Sequence, residues 1–245
     1  MEITSLTNKH VKEWVKLQKK KNRDEMQCFL IEGDHLIEEA IKQGIVKQLI
    51  LPIGETTSFF AENIFNVTPE IMKKISTNAS IPKMIAVCCY FELEPQPLRR
   101  IILLDGLQDP GNIGTIIRTA VSFEFDAVYL SLESVDRYNE KLIRATQGAL
   151  FQIPILQREL HSLINDLKQE GFTIITTCLG NSIPLQSTPT PKTFALVFGS
   201  EGSGVSEGIV ALSDYTTRIE MQGFESLNVA VAAGIVLYQL SLSRN

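Results

Sequence analysis

Three polar or glycine-rich segments, each next to an aliphatic run, are the parts of this 245-residue chain that could carry chemistry. They are residues 109–118, 199–204 and 224–228. The first contains Asn112, which offers a hydrogen-bond donor and an acceptor, and Arg118, whose planar guanidinium suits a phosphate. Ligands of parallel sheets bind beyond the carboxyl ends of the strands. Because the aliphatic runs look like such strands, we expect the three segments to form one composite site.

Several common types of site do not fit these residues. Segment 199–204 lacks the Gly-Lys-Ser/Thr of a P-loop and misses the G-x-G-x-x-G spacing, which disfavours a dinucleotide-dependent oxidoreductase. No His lies near Ser226 in the sequence to activate it as a hydrolase nucleophile. Taken singly, each segment also has a structural interpretation, because Ser226 can cap the final helix and glycines can form a tight turn.

The elements around these segments alternate between strand and helix, which is typical of an α/β fold. A helix at residues 8–21 opens a first α/β unit, and two prolines between residues 92 and 97 predict a linker after it. We therefore expect two domains, at residues 1–94 and 99–245. The second should hold a mostly parallel sheet with helices on both sides, strand 194–198 at its centre, and a final helix at 227–240.

The charge is unevenly distributed along the chain. The net charge is −5, but residues 8–23 hold seven cations and one acid, and such a patch attracts polyanions. The four cysteines form no C-x-x-C pair, so we expect reduced thiols in a cytoplasmic protein. No His, Cys and carboxylate cluster has metal-ligand spacing, and no apolar run is long enough to span a bilayer. We therefore expect neither a metal nor a membrane partner.

Three motifs, taken together and in this order, resemble the SpoU (TrmH-type) family of RNA ribose 2′-O-methyltransferases, within the SPOUT superfamily. The motifs are residues 112–120 (NIGTIIRTA), 196–205 (LVFGSEGSGV) and 219–232 (IEMQGFESLNVAVA). The resemblance covers residues 100–241, and the N-terminal part is similar to the substrate-binding domain that often precedes it. One departure is Glu220, which stands where the family usually has Pro.

The resemblance implies an α/β fold in which a C-terminal SPOUT domain, knotted as a trefoil around a parallel sheet, follows a small ribosomal-protein-like α/β substrate-binding domain. It also implies transfer of a methyl group from S-adenosylmethionine to a ribose 2′-hydroxyl of RNA. The catalytic residues it implies are Arg118, Asn112, Glu201, Ser226 and Asn228. The cofactor-binding residues it implies are Thr177, Cys178, Gly199, Ile219, Met221 and Leu227.

The implied partners are RNA, with ribosomal RNA expected before transfer RNA, and a second copy of the chain in a homodimer. Arg118 is either the general base or an anchor for the neighbouring phosphate, and a protein with this fold that binds RNA without catalysis remains the alternative. The lysine-rich helix at residues 8–21, with the cations that follow it up to residue 23, would bind the RNA backbone. Its predicted RNA-binding residues are Lys9, Lys12, Lys16, Lys19, Lys20, Lys21 and Arg23.

Overall fold

The computed structural model describes residues 1–78, 80–93, 97–223 and 226–242. Residues 94–96 of the predicted linker and residues 224–225 of the third motif lie outside the described residues. The chain divides into two compact units, Met1–Glu92 with Tyr138–Phe151, and Leu93–Arg137 with Gln152–Asn245. Within the described residues, no helix combines the length and the apolar character that crossing a bilayer requires.

The first unit is a five-stranded mixed sheet with helices packed on it. The strand order is β1-β4-β3-β5-β2, in which β5 runs antiparallel to both of its neighbours and the other pairs are parallel. Its elements are β1 (Glu2–Ile3), α1 (Lys9–Lys16), α2 (Lys20–Met26), β2 (Cys28–Glu32), α3 (Asp34–Lys42), β3 (Val46–Pro52), β4 (Asn63–Val67), α4 (Pro69–Ile75), β5 (Ile85–Cys89) and α6 (Glu140–Thr146).

Helices α1 and α4 cover one face of this sheet. Trp14 of α1 is buried against Phe65 of β4, and its indole Nε1 donates a hydrogen bond of 2.7 Å to the Gln48 side chain. Helix α4 begins with Thr68 as the N-cap and Pro69 in the first turn, where both residue types are favoured. Both helices contribute to one apolar core, whose full burial is the main source of stability for such a unit.

Residues 138–151 pack with the first unit, although they lie within the predicted second domain, residues 99–245. The ring of Tyr138 stacks on Tyr90 at 4.0 Å and on Phe29 at 4.5 Å between ring centroids. Its hydroxyl accepts a hydrogen bond from the Phe91 amide and donates one to the Phe91 carbonyl oxygen. Aromatic burial and two main-chain hydrogen bonds therefore fix this segment, which sequence order could not reveal.

The second unit is a seven-stranded sheet in which every pair of neighbours is parallel. The strand order is β10-β12-β9-β11-β6-β7-β8, so β11 is central, as the sequence predicts. The elements are β6 (Arg100–Asp105), α5 (Pro110–Ser122), β7 (Ala127–Leu130), β8 (Ile155–Gln157), α7 (Leu160–Gln169), β9 (Thr173–Thr177), β10 (Ile183–Pro184), β11 (Phe194–Gly199), α8 (Glu207–Leu212), β12 (Tyr215–Arg218) and α9 (Val229–Ser241).

Helices cover both faces of this sheet because its strands are apolar on both sides. Alternate residues of β6, Ile101 and Leu103, share a buried cluster with α7 and α8. Their neighbours Ile102 and Leu104 are equally buried and point to the opposite face, where α5 packs against β7 and α9 packs against β11. Helices α5 and α9 also pack on each other, which brings two of the polar segments close together.

The predicted bounds of the first and the last helix are wrong, and both errors have a local cause. The predicted helix 8–21 breaks after Lys16, where side chains of α2 satisfy the exposed carbonyl groups: Asn22 donates to the Lys16 oxygen and Arg23 to the Leu17 oxygen, each at 2.9 Å. The final helix begins at Val229 with Asn228 as its N-cap, so Ser226 does not cap it.

Candidate functional site

The carboxyl ends of β6 and β11 form the base of the site. The two strands are neighbours in register, and they end at Asp105 and Gly199. The carboxylate of Asp105 accepts a hydrogen bond of 2.8 Å from the backbone amide of Ser206, which lies just beyond the glycine-rich segment. This bond ties the far end of segment 199–204 to the end of β6. No role for Asp105 is predicted from the sequence, although an acid at the end of a buried strand is a usable signal.

The glycine-rich segment folds back on itself in a turn that only glycine permits at its start. A Cβ atom on Gly199 would lie 2.0 Å from the backbone carbon of Gly204, a distance that no side chain tolerates. Gly204 has a φ of +69°, in the left-handed region. The Ser200 and Ser203 hydroxyls are 2.8 Å apart and the Gly204 amide donates to the Ser200 oxygen. The turn projects Glu201 from its tip.

Helix α5 places Asn112 at the same edge. Asp109 is the N-cap, and its carboxylate accepts a hydrogen bond of 2.8 Å from the Asn112 amide. Pro110 occupies the first turn, where a missing N–H costs nothing. The side chain of Asn112 is thereby held in the first turn of α5 and is free to face the glycine-rich segment.

Asn228, the N-cap of helix α9, forms hydrogen bonds with both polar atoms of its side-chain amide. Its oxygen Oδ1 accepts hydrogen bonds from the Ala230 and Val231 amides, at 2.9 and 3.3 Å, and so caps the helix. This fixes the orientation of the side chain, because only Nδ2 remains to donate elsewhere. The capping geometry therefore directs an amide donor from α9 into the site.

These three side chains form one hydrogen-bonded cluster, Asn112–Glu201–Asn228. Nδ2 of Asn228 donates to Oδ1 of Asn112 at 3.0 Å and to Oε1 of Glu201 at 3.3 Å. Nδ2 of Asn112 donates to the same carboxylate oxygen of Glu201. The three segments, which are far apart in the chain, thus converge as the sequence predicts. No donor among the residues that the structure describes contacts the second carboxylate oxygen of Glu201.

Arg118 and Ser226 are not part of this cluster. Arg118 lies on α5 about 9 Å along the helix axis from Asn112 and roughly 120° around it. Its side chain is exposed, and it makes no hydrogen bond or ion pair with any other residue that the structure describes. Ser226 is also exposed and next to the residues outside the description. Glu201 pairs with the two asparagines rather than with Arg118.

The predicted cofactor-binding residues follow three neighbouring strands, β12, β9 and β11. All three strands are parallel, so these residues lie along one edge of the sheet, next to the cluster. Thr177 is the last residue of β9 and Cys178 follows it, and the Thr177 hydroxyl donates to the Val197 carbonyl oxygen at 3.0 Å. The residues concerned are Thr177, Cys178, Gly199, Ile219 and Met221, while Leu227, 36% exposed, precedes α9.

The start of β12 is held by a charged contact. Asp214 accepts hydrogen bonds of 2.8 Å from the Ile174 amide and from the Lys168 ammonium. Burial raises the pKa of Asp214, but these two hydrogen bonds and the Lys168 charge outweigh burial and leave the pKa below its ordinary value. The strand that leads to Ile219 and Met221 is therefore anchored at its beginning.

The lysines among residues 8–23 form two groups, those with an acidic partner and those without one among the described residues. Lys9 lies 3.8 Å from Glu13, and Lys20 lies 2.7 Å from Asp24. The prediction that Arg23 contacts RNA does not fit its position, since the side chain is 4% exposed and binds a carbonyl at the end of α1. Four lysines of the region are exposed without an acid partner among the described residues: Lys12, Lys16, Lys19 and Lys21.

No metal site is found in the part of the chain that the structure describes, where no three His, Cys, Asp or Glu side chains lie close enough to share an ion. The groups at this edge of the sheet are amides, hydroxyls, several apolar side chains and the carboxylates of Asp105, Asp109 and Glu201, each of which already accepts a hydrogen bond from the protein. Such a set suits an organic ligand with an aromatic ring and hydroxyl groups better than a hard cation.

Similar proteins carry the same two units. A 23S rRNA (guanosine(2553)-2′-O)-methyltransferase from Bacillus subtilis is 39% identical over 98% of each chain. The crystal structure of an AdoMet-bound rRNA methyltransferase from Sinorhizobium meliloti superposes with a TM-score of 0.88, at 28% identity, over 100% of this chain and 98% of that one. The crystal structure of an RNA 2′-O ribose methyltransferase gives 0.84, at 28% identity, over 100% and 99%.

Two family models match the chain in the same order. Residues 8–86 match the MRM3-like substrate binding domain, and residues 99–238 match the SpoU rRNA Methylase family. The second match covers more than half of the chain and includes all three segments of the composite site. The chain therefore belongs to the SpoU rRNA methylase family, as its three motifs predict.

Proposed function

We propose that this protein transfers a methyl group from S-adenosylmethionine to a ribose 2′-hydroxyl of RNA, with 23S ribosomal RNA as the substrate. The observation that carries the proposal is the Asn112–Glu201–Asn228 cluster at the carboxyl edge of the parallel sheet. Family membership and the AdoMet-bound relative support the cofactor. We place the reaction in the cytoplasm, because that is where a bacterial-type rRNA substrate would be met.

The cofactor would be held by the residues that follow β12, β9 and β11, together with Leu227. Apolar side chains there can pack on the adenine ring, and backbone groups near Gly199, Ile219 and Met221 can bond its polar atoms and the ribose. When bound, S-adenosylmethionine supplies an electrophilic methyl carbon on a sulfonium. The tight Gly199–Gly204 turn keeps the neighbouring wall of this site fixed.

The chain's own residues position the acceptor. In-line attack requires the ribose oxygen at a fixed place, and such positioning supplies a large part of a rate enhancement. The cluster holds the N-terminal ends of α5 and α9 and the glycine-rich turn in one arrangement, so that Ser226 and the second oxygen of Glu201 can orient the ribose. A fixed triangle of hydrogen bonds suits this role because it needs no rearrangement when substrate binds.

Arg118 would act on the substrate rather than on the cluster. A guanidinium stays protonated in proteins, so we assign Arg118 to the phosphate beside the target ribose, where its charge favours ionisation of the 2′-hydroxyl. Its exposure on α5 and its lack of a partner among the described residues support this role. The 2′-hydroxyl also explains selection of RNA over DNA.

The protein would work as a homodimer joined through α9, with a trefoil knot in the second unit. The exposed side of α9 carries large apolar side chains at helical spacing, Val231, Ile235, Tyr238 and Leu242. Its other side packs in the core through Ala233 and Leu237. A helix that is apolar all round is normally covered on every side, and a second copy of the same helix is a self-complementary cover.

Methyl transfer from labelled S-adenosylmethionine to 23S rRNA tests the function. The rRNA should come from a strain that lacks this gene, and 2′-O-methyl mapping should locate the modified nucleotide. We expect one new site, at the guanosine equivalent to the target of the Bacillus subtilis relative. Methylation of transfer RNA instead would overturn the substrate, and absence of heat with S-adenosylmethionine in calorimetry would favour the non-catalytic alternative.

A further inference from the structure

A cavity of about 300 Å³ lies in the first unit between α1 and α4. This volume is in the range of sites for small organic molecules. Nothing in the composite site of the second unit uses it. Its lining combines apolar and cationic side chains: Leu6, Val11, Val15, Lys12, Lys16 and Lys74.

The apolar part of the lining belongs to the core. Val11 is fully buried, and Leu6 and Val15 are partly buried and pack on the same cluster. The wall formed by α4 is held in place, because the Gln18 side chain donates to the carbonyl oxygens of Lys74 and Ile75 at 3.1 and 2.9 Å. The cavity is therefore preformed, so that a ligand need not order it.

The charged part of the lining is purely cationic. Lys12, Lys16 and Lys74 are exposed, and none of them has an acid partner among the described residues. Lys9 and Lys20, which do not line the cavity, are paired with acids of their own helices. Lys12 and Lys16 are one helical turn apart, about 6 Å along α1. The cavity is thus suited to a ligand with an apolar face and more than one negative charge.

We propose that this cavity binds an unpaired nucleotide of the substrate RNA. Its base would lie on the apolar floor, which consists of Leu6, Val11 and Val15, and the adjoining phosphates would lie at Lys12, Lys16 and Lys74. The proposal rests on the proposed function, which makes RNA the substrate. A base in a duplex is stacked and paired, so only a single-stranded or extruded nucleotide can present its face to the floor. The floor has no hydrogen-bonding side chain, so the site selects unpaired RNA without reading its sequence.

RNA binding by the full-length protein tests the site. Fluorescence anisotropy should compare an unstructured single-stranded RNA with the same strand in a duplex, over a range of salt concentrations. The Lys12→Gln, Lys16→Gln, Lys74→Gln triple variant should weaken single-strand binding at least tenfold and reduce its log–log salt slope by about 2. The Lys42→Gln, Lys141→Gln, Lys192→Gln variant changes the net charge equally at exposed lysines outside residues 8–23 and should leave the slope nearly unchanged.

Two variants that fill the cavity test the floor without changing charge. Val15→Trp and Leu6→Trp should each weaken single-strand binding several-fold, leave duplex binding within twofold and leave the salt slope as it is. Circular dichroism and S-adenosylmethionine affinity establish that each variant is folded, and either variant alone suffices. Equal slopes for the two lysine triples, equal losses for duplex and single strand, or displacement of RNA by an acidic peptide would each overturn the proposal.

Failure of the site and failure of the function give different results. If the wild type methylates 23S rRNA and the cavity variants bind RNA normally, the function stands and the cavity inference falls. If the wild type transfers no methyl group but the cavity variants lose single-strand binding, the cavity inference stands and the methyltransferase function falls.

Discussion

Asn228 offers a way to separate the stability of α9 from the geometry of the site, because one side chain serves both. Its Oδ1 caps the helix, and its Nδ2 holds Asn112 and Glu201. Ser caps a helix about as well as Asn, whereas Ala does not. Asn228→Ser should therefore keep the cap and lose the two bonds to the cluster, and Asn228→Ala should lose both.

The expected magnitudes follow from these contacts. Loss of the cap in Asn228→Ala should cost about 1 kcal/mol, which lowers Tm by roughly 2–4 °C in a chain of this size, while Asn228→Ser should stay close to the wild type. Loss of the two hydrogen bonds from Nδ2 should raise the activation free energy of methyl transfer by about 1–3 kcal/mol in both variants. This increase lowers kcat/KM roughly 5- to 150-fold. Thermal unfolding and single-turnover methyl transfer measure the two effects separately.

The refuting result for this reasoning is a Ser variant with the wild-type kcat/KM. It would mean that the hydrogen bonds from Nδ2 do not position the site. Asn228→Asp is a stricter variant, because it keeps a capping oxygen but turns the other oxygen toward the Glu201 carboxylate. We expect it to be as active as Asn228→Ser or less so, and greater activity would also contradict the assigned role of the cluster.

The other predictions concern the remaining parts of the molecule. Arg118→Ala should lower kcat at least a hundredfold in a methyl-transfer assay while calorimetry shows S-adenosylmethionine affinity within a few fold; equal losses of both would contradict a role on the substrate. Gly199→Ala should weaken the cofactor at least tenfold, since its Cβ would meet Gly204 at 2.0 Å, and unchanged affinity would mean that the turn is not a wall of the site. A maleimide should label Cys89, which is exposed, long before Cys88, because burial raises the pKa of the Cys88 thiol well above its ordinary value; mass spectrometry showing equal rates would contradict this burial.

Much of the second unit could be predicted from sequence, because its elements have local signals. The strands at 127–130 and 173–177 have such signals, since each is a run of largely buried residues that ends at a clear turn. The start of α5 is harder to predict, because Pro110 and Gly111 look like turn residues although both lie in its first turn. The short strands β1 and β10 were not predicted, because a strand of two residues is too short to show an alternation of apolar and polar residues.

The arrangement of the site was predictable only in outline. Parallel strands send their following segments to one edge, which is why the convergence of the three segments is confirmed. The partners within the cluster were not predictable, because they depend on the helix amides occupying Oδ1 of Asn228, which leaves only Nδ2 to donate to the other two side chains. Burial of Arg23 was hidden as well: a cation among lysines looks like part of a basic surface, and only the break after α1 gives its guanidinium a carbonyl to bind.

The position of residues 138–151 has a consequence for how the protein is made. A ribosome synthesises the five strands of the first unit well before the segment that carries Tyr138, whose ring covers Phe29. At translation rates of about 5–20 residues per second, the nascent N-terminal region waits roughly 3–12 s with an aromatic surface uncovered. A chimera that exchanges only residues 1–94 between relatives would place this surface against the host's own residues 138–151, so exchanging the first unit intact requires moving two separate stretches of the gene.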